Sequence, residues 1–269
     1  MIRELGGDSL AFIAAGGPTG ARHLELLRAE GIATLAHECA GDTRFSLTVM
    51  EEASGEHFRF VLPGPEQSAQ EEQALLAAIG RAVAKGGVRY VVASGSLPPG
   101  VSADFYGQVA RQVDTAGARL ILDTSGAALA ASLAGQPYCI RINHHEAGEL
   151  LGLKGPANAT QARELTRNLI AQGSTKIAIV TIAEAGALVA SDEGEFQVRP
   201  PVVAVTSTVG AGDSFVGALS LGFSRDWPLE QAVRFGVAAA AAAVTTEATE
   251  LCSRTDTEKL LGALSPGDG

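Results

Sequence analysis

The chain has 269 residues, 46% of them hydrophobic and 19% charged, which excludes a disordered polymer and fits one large domain or one domain with an appendage. A formal net charge of −10 argues against a nucleic-acid surface, which needs basic patches. No apolar run is long enough to cross a bilayer, the start lacks a signal-peptide pattern, and Cys39, Cys139 and Cys252 lie far apart, so a reduced, cytoplasmic protein is expected.

The opening "IRELGG" reads as the last turn of a helix closed by glycine, with almost no helix before it. From Ser9, "SLAFIAA" reads as a strand buried on both faces. "RFSLTVMEEASGEHFRFVLPG", from Arg44 to Gly64, alternates Phe45, Leu47 and Val49, then Phe58, Phe60 and Leu62, around a turn at Ala53, Ser54 and Gly55. This predicts a β-hairpin, which is either an ordinary edge hairpin or a lid and pairing surface for a second subunit. Then "EEQALLAAIGRAVAKG", "SADFYGQVARQVDTAG" and "ATQARELTRNLIAQG" read as glycine-closed helices. They alternate with the buried strands "RYVVAS", "RLILDT", "YCIRIN" and "KIAIVTIA". Strand–helix alternation implies an α/β fold, a doubly wound, mainly parallel sheet with helices on both faces. Ligands bind such sheets at the carboxyl ends of the strands, where "SGSLPPG", "DTSG", "NHHE" and "TVGAGD" all fall.

In "TVGAGDSFVGA", Gly210 and Gly212 let main-chain N–H groups approach a ligand, and Asp213 stands where a helix begins. Asp213 is either a plain N-cap or a base beside a bound phosphate. Asn143 and Glu146, at i and i+3, form either a capping box or an oxygen pair suited to Mg²⁺. The adjacent His144 and His145 point about 100° apart on a helix and read as polar residues of its first turn. No G-x-x-x-x-G-K-[ST] loop, protein-kinase motif pair or G-x-S-x-G elbow is present.

Taken together, "STVGAGDSFVGA", "SGSLPPG", "DTSG", the N-x-x-E of "NHHEAGEL" and the hairpin ending "RFVLPG" resemble the ribokinase-like (phosphofructokinase B) carbohydrate kinases. The nearest branch is that of the minor bacterial ATP-dependent 6-phosphofructokinases. The likeness runs in order along almost the entire chain. It implies one kinase domain over 1–269, with the 44–64 hairpin as a lid, that phosphorylates a sugar phosphate with ATP. Fructose 6-phosphate is the first candidate, with tagatose 6-phosphate or fructose 1-phosphate as alternatives. The resemblance makes Asp213 the general base and Gly210, Ala211 and Gly212 the anion hole for the transferring phosphoryl group. It gives Arg44, Ser94 and Gly95 to the sugar phosphate, and Arg141, Asn143, Thr181, Gly186, Thr208 and Ala240 to the nucleotide. Asn143 and Glu146 would serve Mg²⁺, and Ser207 and Val209 a monovalent cation such as K⁺. A homodimer paired through the hairpin is also implied.

The chain departs from the family pattern at several points. Ala183 replaces a glycine of the nucleotide loop, Ala240 a glycine against the purine, Glu250 an arginine, and "RIN" the usual Lys-Pro-Asn, so that Arg141 stands where a phosphate-contacting lysine is usual. The family's first strand, with its sugar-binding aspartate, and the following Gly-Gly-x-x-x-Asn segment have no counterpart in the given sequence. Two classes of function follow: an ATP-dependent sugar-phosphate kinase, and a catalytically impaired nucleotide-binding paralogue. The given chain is expected to bind Mg·ATP with reduced affinity and to be weakly active or inactive on sugars.

Overall fold

The computed structural model describes residues 1–52, 54, 57–183, 185–247 and 250–264. Ala53 and Gly55, where the hairpin turn is expected, lie outside that set. The chain forms two compact units, Ser9–Ala82 with Leu97–Ser102, and Met1–Asp8, Val83–Ser96 and Ala103–Gly269.

The first of these holds β1 (Leu10–Ala15), α1 (Gly17–Ala29), β2 (Ala33–Glu38), β3 (Ser46–Met50), β4 (His57–Val61) and most of α2 (Ala69–Ala84). β1 and β2 pair in parallel through the crossover helix α1 and form a two-stranded sheet of their own. β1 was expected to be buried on both faces. It is not, and Leu10 at its start is 53% exposed, because its described sheet offers only β2 as a neighbour. β3 and β4 are the predicted hairpin, antiparallel, with Leu47 opposite Phe60 and Val49 opposite Phe58. Side chains alternate across a strand, so these four share one face.

The second unit contains β5 (Tyr90–Ser94), α3 (Phe105–Thr115), β6 (Arg119–Asp123), α4 (Gly126–Ser132) with a 3-10 turn (Leu133–Gly135), β7 (Cys139–Asn143), α5 (His144–Leu150) and α6 (Ala159–Ala171). These are followed by β8 (Ile177–Ile182), β9 (Gly186–Ser191), β10 (Gly194–Val198), α7 (Ala211–Ser224), α8 (Leu229–Ala243) and α9 (Arg254–Ala263). Its sheet runs β10-β9-β8-β7-β6-β5, parallel from β5 to β8 and antiparallel over the last two pairings.

The apolar strand runs are explained by cover on both faces. Ile177 and Ile179 of β8 join Phe215, Val216 and Leu219 of α7 and Val233 and Val237 of α8. Ala178 and Val180 of the same strand turn to Ala162, Leu165 and Leu169 of α6. α7 and α8 pack closely because Gly222 faces Ala232, where an added Cβ would stand 2.8 Å from the alanine methyl. The opening "IRELGG" is the glycine-closed turn that the sequence predicts. Gly6 has φ +77°, its N–H reaches the Arg3 carbonyl, the Gly7 N–H reaches that of Ile2, and Leu5 is buried beside Phe235 and Ala239 of α8.

Candidate active site

The parallel strands β5 to β8 bring their carboxyl ends to one edge of the sheet. Ser94 pairs with Asp123 at the ends of β5 and β6, and Asn143 with Thr181 at the ends of β7 and β8. Four segments separated in sequence thus converge on the edge where open α/β sheets bind ligands.

α7 enters the same site through its first turn. Its N-cap is Gly210, in the left-handed region at φ 78°, a conformation that costs residues with a Cβ roughly 1–2 kcal/mol. Gly210 makes no side-chain cap, so the first N–H groups of α7 face outward with the positive end of the helix dipole behind them. Asp213 is therefore not the N-cap. It is the third helical residue, exposed, with the Ser94 hydroxyl 3.5 Å from its Oδ1.

The Ser94–Gly95 turn is held in place by its backbone. The Gly95 N–H donates to the Asp123 carbonyl at 2.9 Å, and the Gly95 carbonyl accepts from the Thr124 and Tyr106 hydroxyls at 2.9 and 3.0 Å. Gly95 has φ 103°, which any Cβ would strain.

Arg141 lies between these elements. Its Nη2 donates to Thr181 Oγ1 at 2.7 Å, and its Nη1 stands 3.4 Å from Asp123 Oδ2. The guanidinium packs over the Phe215 ring at 5.6 Å, and an added Cβ on Gly212 would lie 2.8 Å from Nη1. The glycine at 212 thus lets a positive charge approach the first turn of α7. Burial pushes the Asp123 carboxyl above the ordinary carboxylate value; the Arg141 charge opposes that shift and the Asp213 charge adds to it.

Asn143 and Glu146 form the capping box. Asn143 Oδ1 accepts from the His145 and Glu146 N–H groups at 2.8 and 3.0 Å, and Glu146 Oε2 accepts from the Asn143 N–H at 2.7 Å. Burial raises the Glu146 carboxyl above its usual value. No hydrogen bond among the described residues uses its second oxygen, so the cap and a cation could share the side chain. Among the described residues no group of three or more His, Cys, Asp or Glu could hold a metal alone.

The other expected residues are placed as follows. Gly186 opens β9 at φ 78°, where a Cβ would meet the Val198 carbonyl at 2.0 Å, so strand pairing itself requires the glycine. Its loop includes residue 184, outside the described set. Ser207 Oγ accepts from the Val209 N–H at 3.2 Å, Thr208 is exposed, and Ala240 is a half-buried residue of α8. Arg44 belongs to the unit that carries the hairpin, with its side chain 3.7 Å from an added Cβ on Gly64. The "DTSG" motif marks the ligand edge but does not by itself single out Asp123. Its position as the last residue of a buried strand at the ligand edge was the available signal.

Residues 1–256 match the pfkB family of carbohydrate kinases. The chain is 38% identical over 265 residues to ATP-dependent 6-phosphofructokinase isozyme 2 of Escherichia coli, covering 98% of this chain and 84% of that one. It is 32% identical over 239 residues to the 1-phosphofructokinase of Bacillus subtilis, covering 89% and 76%. Among solved structures, E. coli phosphofructokinase-2 in complex with potassium superposes with a TM-score of 0.90 at 38% identity, covering 98% of this chain and 85% of that one. The same enzyme has been solved with fructose 6-phosphate, at TM-score 0.87 and 36% identity, covering 98% and 84%. Arabidopsis thaliana ribokinase, at 18% identity and TM-score 0.74, covering 96% and 83%, shares the fold. With an exposed carboxylate on a glycine-opened helix and this likeness along nearly its whole length, the chain belongs to the pfkB family of carbohydrate kinases.

Proposed function

We propose that the chain transfers the γ-phosphoryl group of ATP to fructose 6-phosphate, giving fructose 1,6-bisphosphate. The observation that carries this reading is the exposed Asp213 carboxylate on the first turn of α7, directly after the Gly210 turn and with the Arg141 guanidinium against Gly212. The match to the 6-phosphofructokinase of E. coli, 38% over 265 residues, is longer than those to 1-phosphofructokinases, 36% over 220 residues and 32% over 239, and supports fructose 6-phosphate over fructose 1-phosphate.

In this mechanism Asp213 accepts the proton of the sugar hydroxyl as its oxygen bonds to the γ-phosphorus. The bond from that phosphorus to ADP breaks, and its electron pair leaves on the ADP oxygen. The N–H groups of Gly210, Ala211 and Gly212 and the Arg141 charge face the oxygens of the transferring group. Such transfer depends on placement and charge neutralisation rather than covalent chemistry. The second oxygen of Glu146, with Asn143 beside it, fits Mg²⁺, which binds one or two carboxylates, waters and substrate phosphates and would neutralise phosphate charge there. Ser207 and Val209 are the candidates for K⁺, the ion held by the E. coli structure. Thr181, Gly186, Thr208 and Ala240 would border the nucleotide, and Ser94, Gly95 and Arg44 the sugar phosphate.

The hairpin supports a dimer. Phe45, Leu47, Val49, Phe58 and Phe60 are between 41% and 54% exposed, and a lone hairpin with a bare apolar face lacks the cover that stabilises one. Pairing with its copy in a second subunit would cover it. No described helix is long and apolar enough to cross a membrane, and the three free cysteines fit a reducing cytoplasm.

The test is ATP-dependent turnover on fructose 6-phosphate, tagatose 6-phosphate and fructose 1-phosphate. The expected result is the highest kcat/KM on fructose 6-phosphate. A preference for either other sugar would reassign the substrate, and transfer to none would remove the kinase reading.

A further inference from the structure

One buried carboxylate at the site has no part in the mechanism above. The side chains of Asp123 and Arg141 are 12% and 11% exposed. A buried ion pair is weak evidence for stability, because desolvation offsets the attraction. What the pair does instead is limit where a charge can stand. Arg141 is held by Asp123 from β6, by Thr181 from β8 and by the Phe215 ring beneath it, and those restraints set its guanidinium against Gly212. Its Nε is buried without a hydrogen-bond partner among the described residues, so the guanidinium keeps an unused donor there. A lysine ammonium is a compact charge on a flexible stem and offers no rigid fork to bridge the two strand ends.

We propose that Asp123 is a positioning residue for phosphoryl transfer, acting through Arg141 to hold the guanidinium against the Gly210–Asp213 turn. Asp123 itself is largely buried and paired, while the exposed carboxylate on the turn is that of Asp213. The inference rests on the kinase reading of this turn. A purely structural pair would affect melting and leave the chemical step alone.

The test is a double-mutant cycle of Asp123→Asn and Arg141→Met, read in kcat, in both KM values, in Mg·ATP affinity by calorimetry and in melting temperature. Asp123→Asn should lower kcat by about 10-fold or more, since small misplacements of reacting groups are costly, and change the sugar-phosphate KM by less than about 2-fold. In the Arg141→Met background the same substitution should change kcat by less than about 2-fold, because the group it positions has gone. Equal fold losses in both backgrounds, or an unchanged kcat in Asp123→Asn, overturn the proposal. If Asp123→Asn does not fold, Asp123→Glu decides. It keeps the charge but shifts it by one methylene, and should melt with the parent while losing kcat; a parental kcat overturns the proposal. If the parent chain binds Mg·ATP but phosphorylates no sugar, the kinase reading has failed separately. Coupling between positions 123 and 141 in Mg·ATP affinity then decides, and its absence overturns the proposal.

Discussion

Gly212→Ala separates the fold from the chemistry of the site. Position 212 is the second residue of α7, in ordinary helical geometry, so alanine fits the backbone and gains helix propensity of up to about 1 kcal/mol. The conflict is with Arg141, whose Nη1 would lie 2.8 Å from the new methyl and whose Cζ and Nη2 would lie 3.4 and 3.5 Å from it. Restoring an ordinary 3.4 Å contact makes the guanidinium recede by about 0.6 Å. A free arginine would swing away at little cost. This one is tied to Thr181 at 2.7 Å and to Asp123 at 3.4 Å, so its charge must move off the turn. A misplacement of about 1 Å costs on the order of 10²-fold, and this smaller one scales to roughly 10-fold in kcat. The melting temperature should stay within about 3 °C of the parent, because propensity offsets the local strain. Coupled measurement of ADP release on fructose 6-phosphate, beside a thermal melt, checks both. A parental kcat would refute the placement of Arg141, and a large fall in melting temperature would make the effect one of folding.

Gly210→Ala meets no atom within 4 Å, but it forces a Cβ onto φ 78°, so it should destabilise by roughly 1–2 kcal/mol, read as a lower melting temperature; no loss would contradict the left-handed turn. Arg44→Ala should raise the KM for the sugar phosphate by about 10-fold or more and that for ATP far less, and equal effects would make Arg44 structural. Burial raises the Glu146 carboxyl, so its contribution to stability is complete below the unfolded pKa of about 4.3 and is lost as pH rises through the higher folded value. Glu146→Gln in metal-free buffer should therefore gain melting temperature relative to the parent as pH goes from about 4 to 7; a constant difference would count against burial as the cause. Phe60→Asp, in the exposed hairpin face, should give monomers by sedimentation velocity at micromolar concentration, whereas an unchanged dimer would move the interface elsewhere.

Much of the central sheet was legible in the sequence because successive residues of β6, β7 and β8 are buried on both faces, and double cover writes a continuous apolar run. β9 and β10, short antiparallel strands beyond the parallel ones, carry no helix of their own to mark them and were not read. The site was legible where glycine imposes a conformation, as at Gly210, and where two residues cap a helix, as at Asn143 and Glu146. It was not legible where function depends on which strand ends meet. Asp123 and Arg141 are 18 residues apart in sequence, and only the parallel register brings their side chains together. The helix start shows the same limit, since the sequence pointed to Asp213 and only the backbone shows that Gly210 fills the N-cap.

In the proposed transfer Asp213 is the group that takes the proton from the sugar hydroxyl. Asp213→Asn keeps the size of the side chain but cannot accept that proton. Single-turnover transfer from Mg·ATP to fructose 6-phosphate should fall by about 10²–10⁴-fold, with Mg·ATP affinity within about 3-fold of the parent. An Asp213→Asn chain that transfers phosphate at the parental rate would contradict the account.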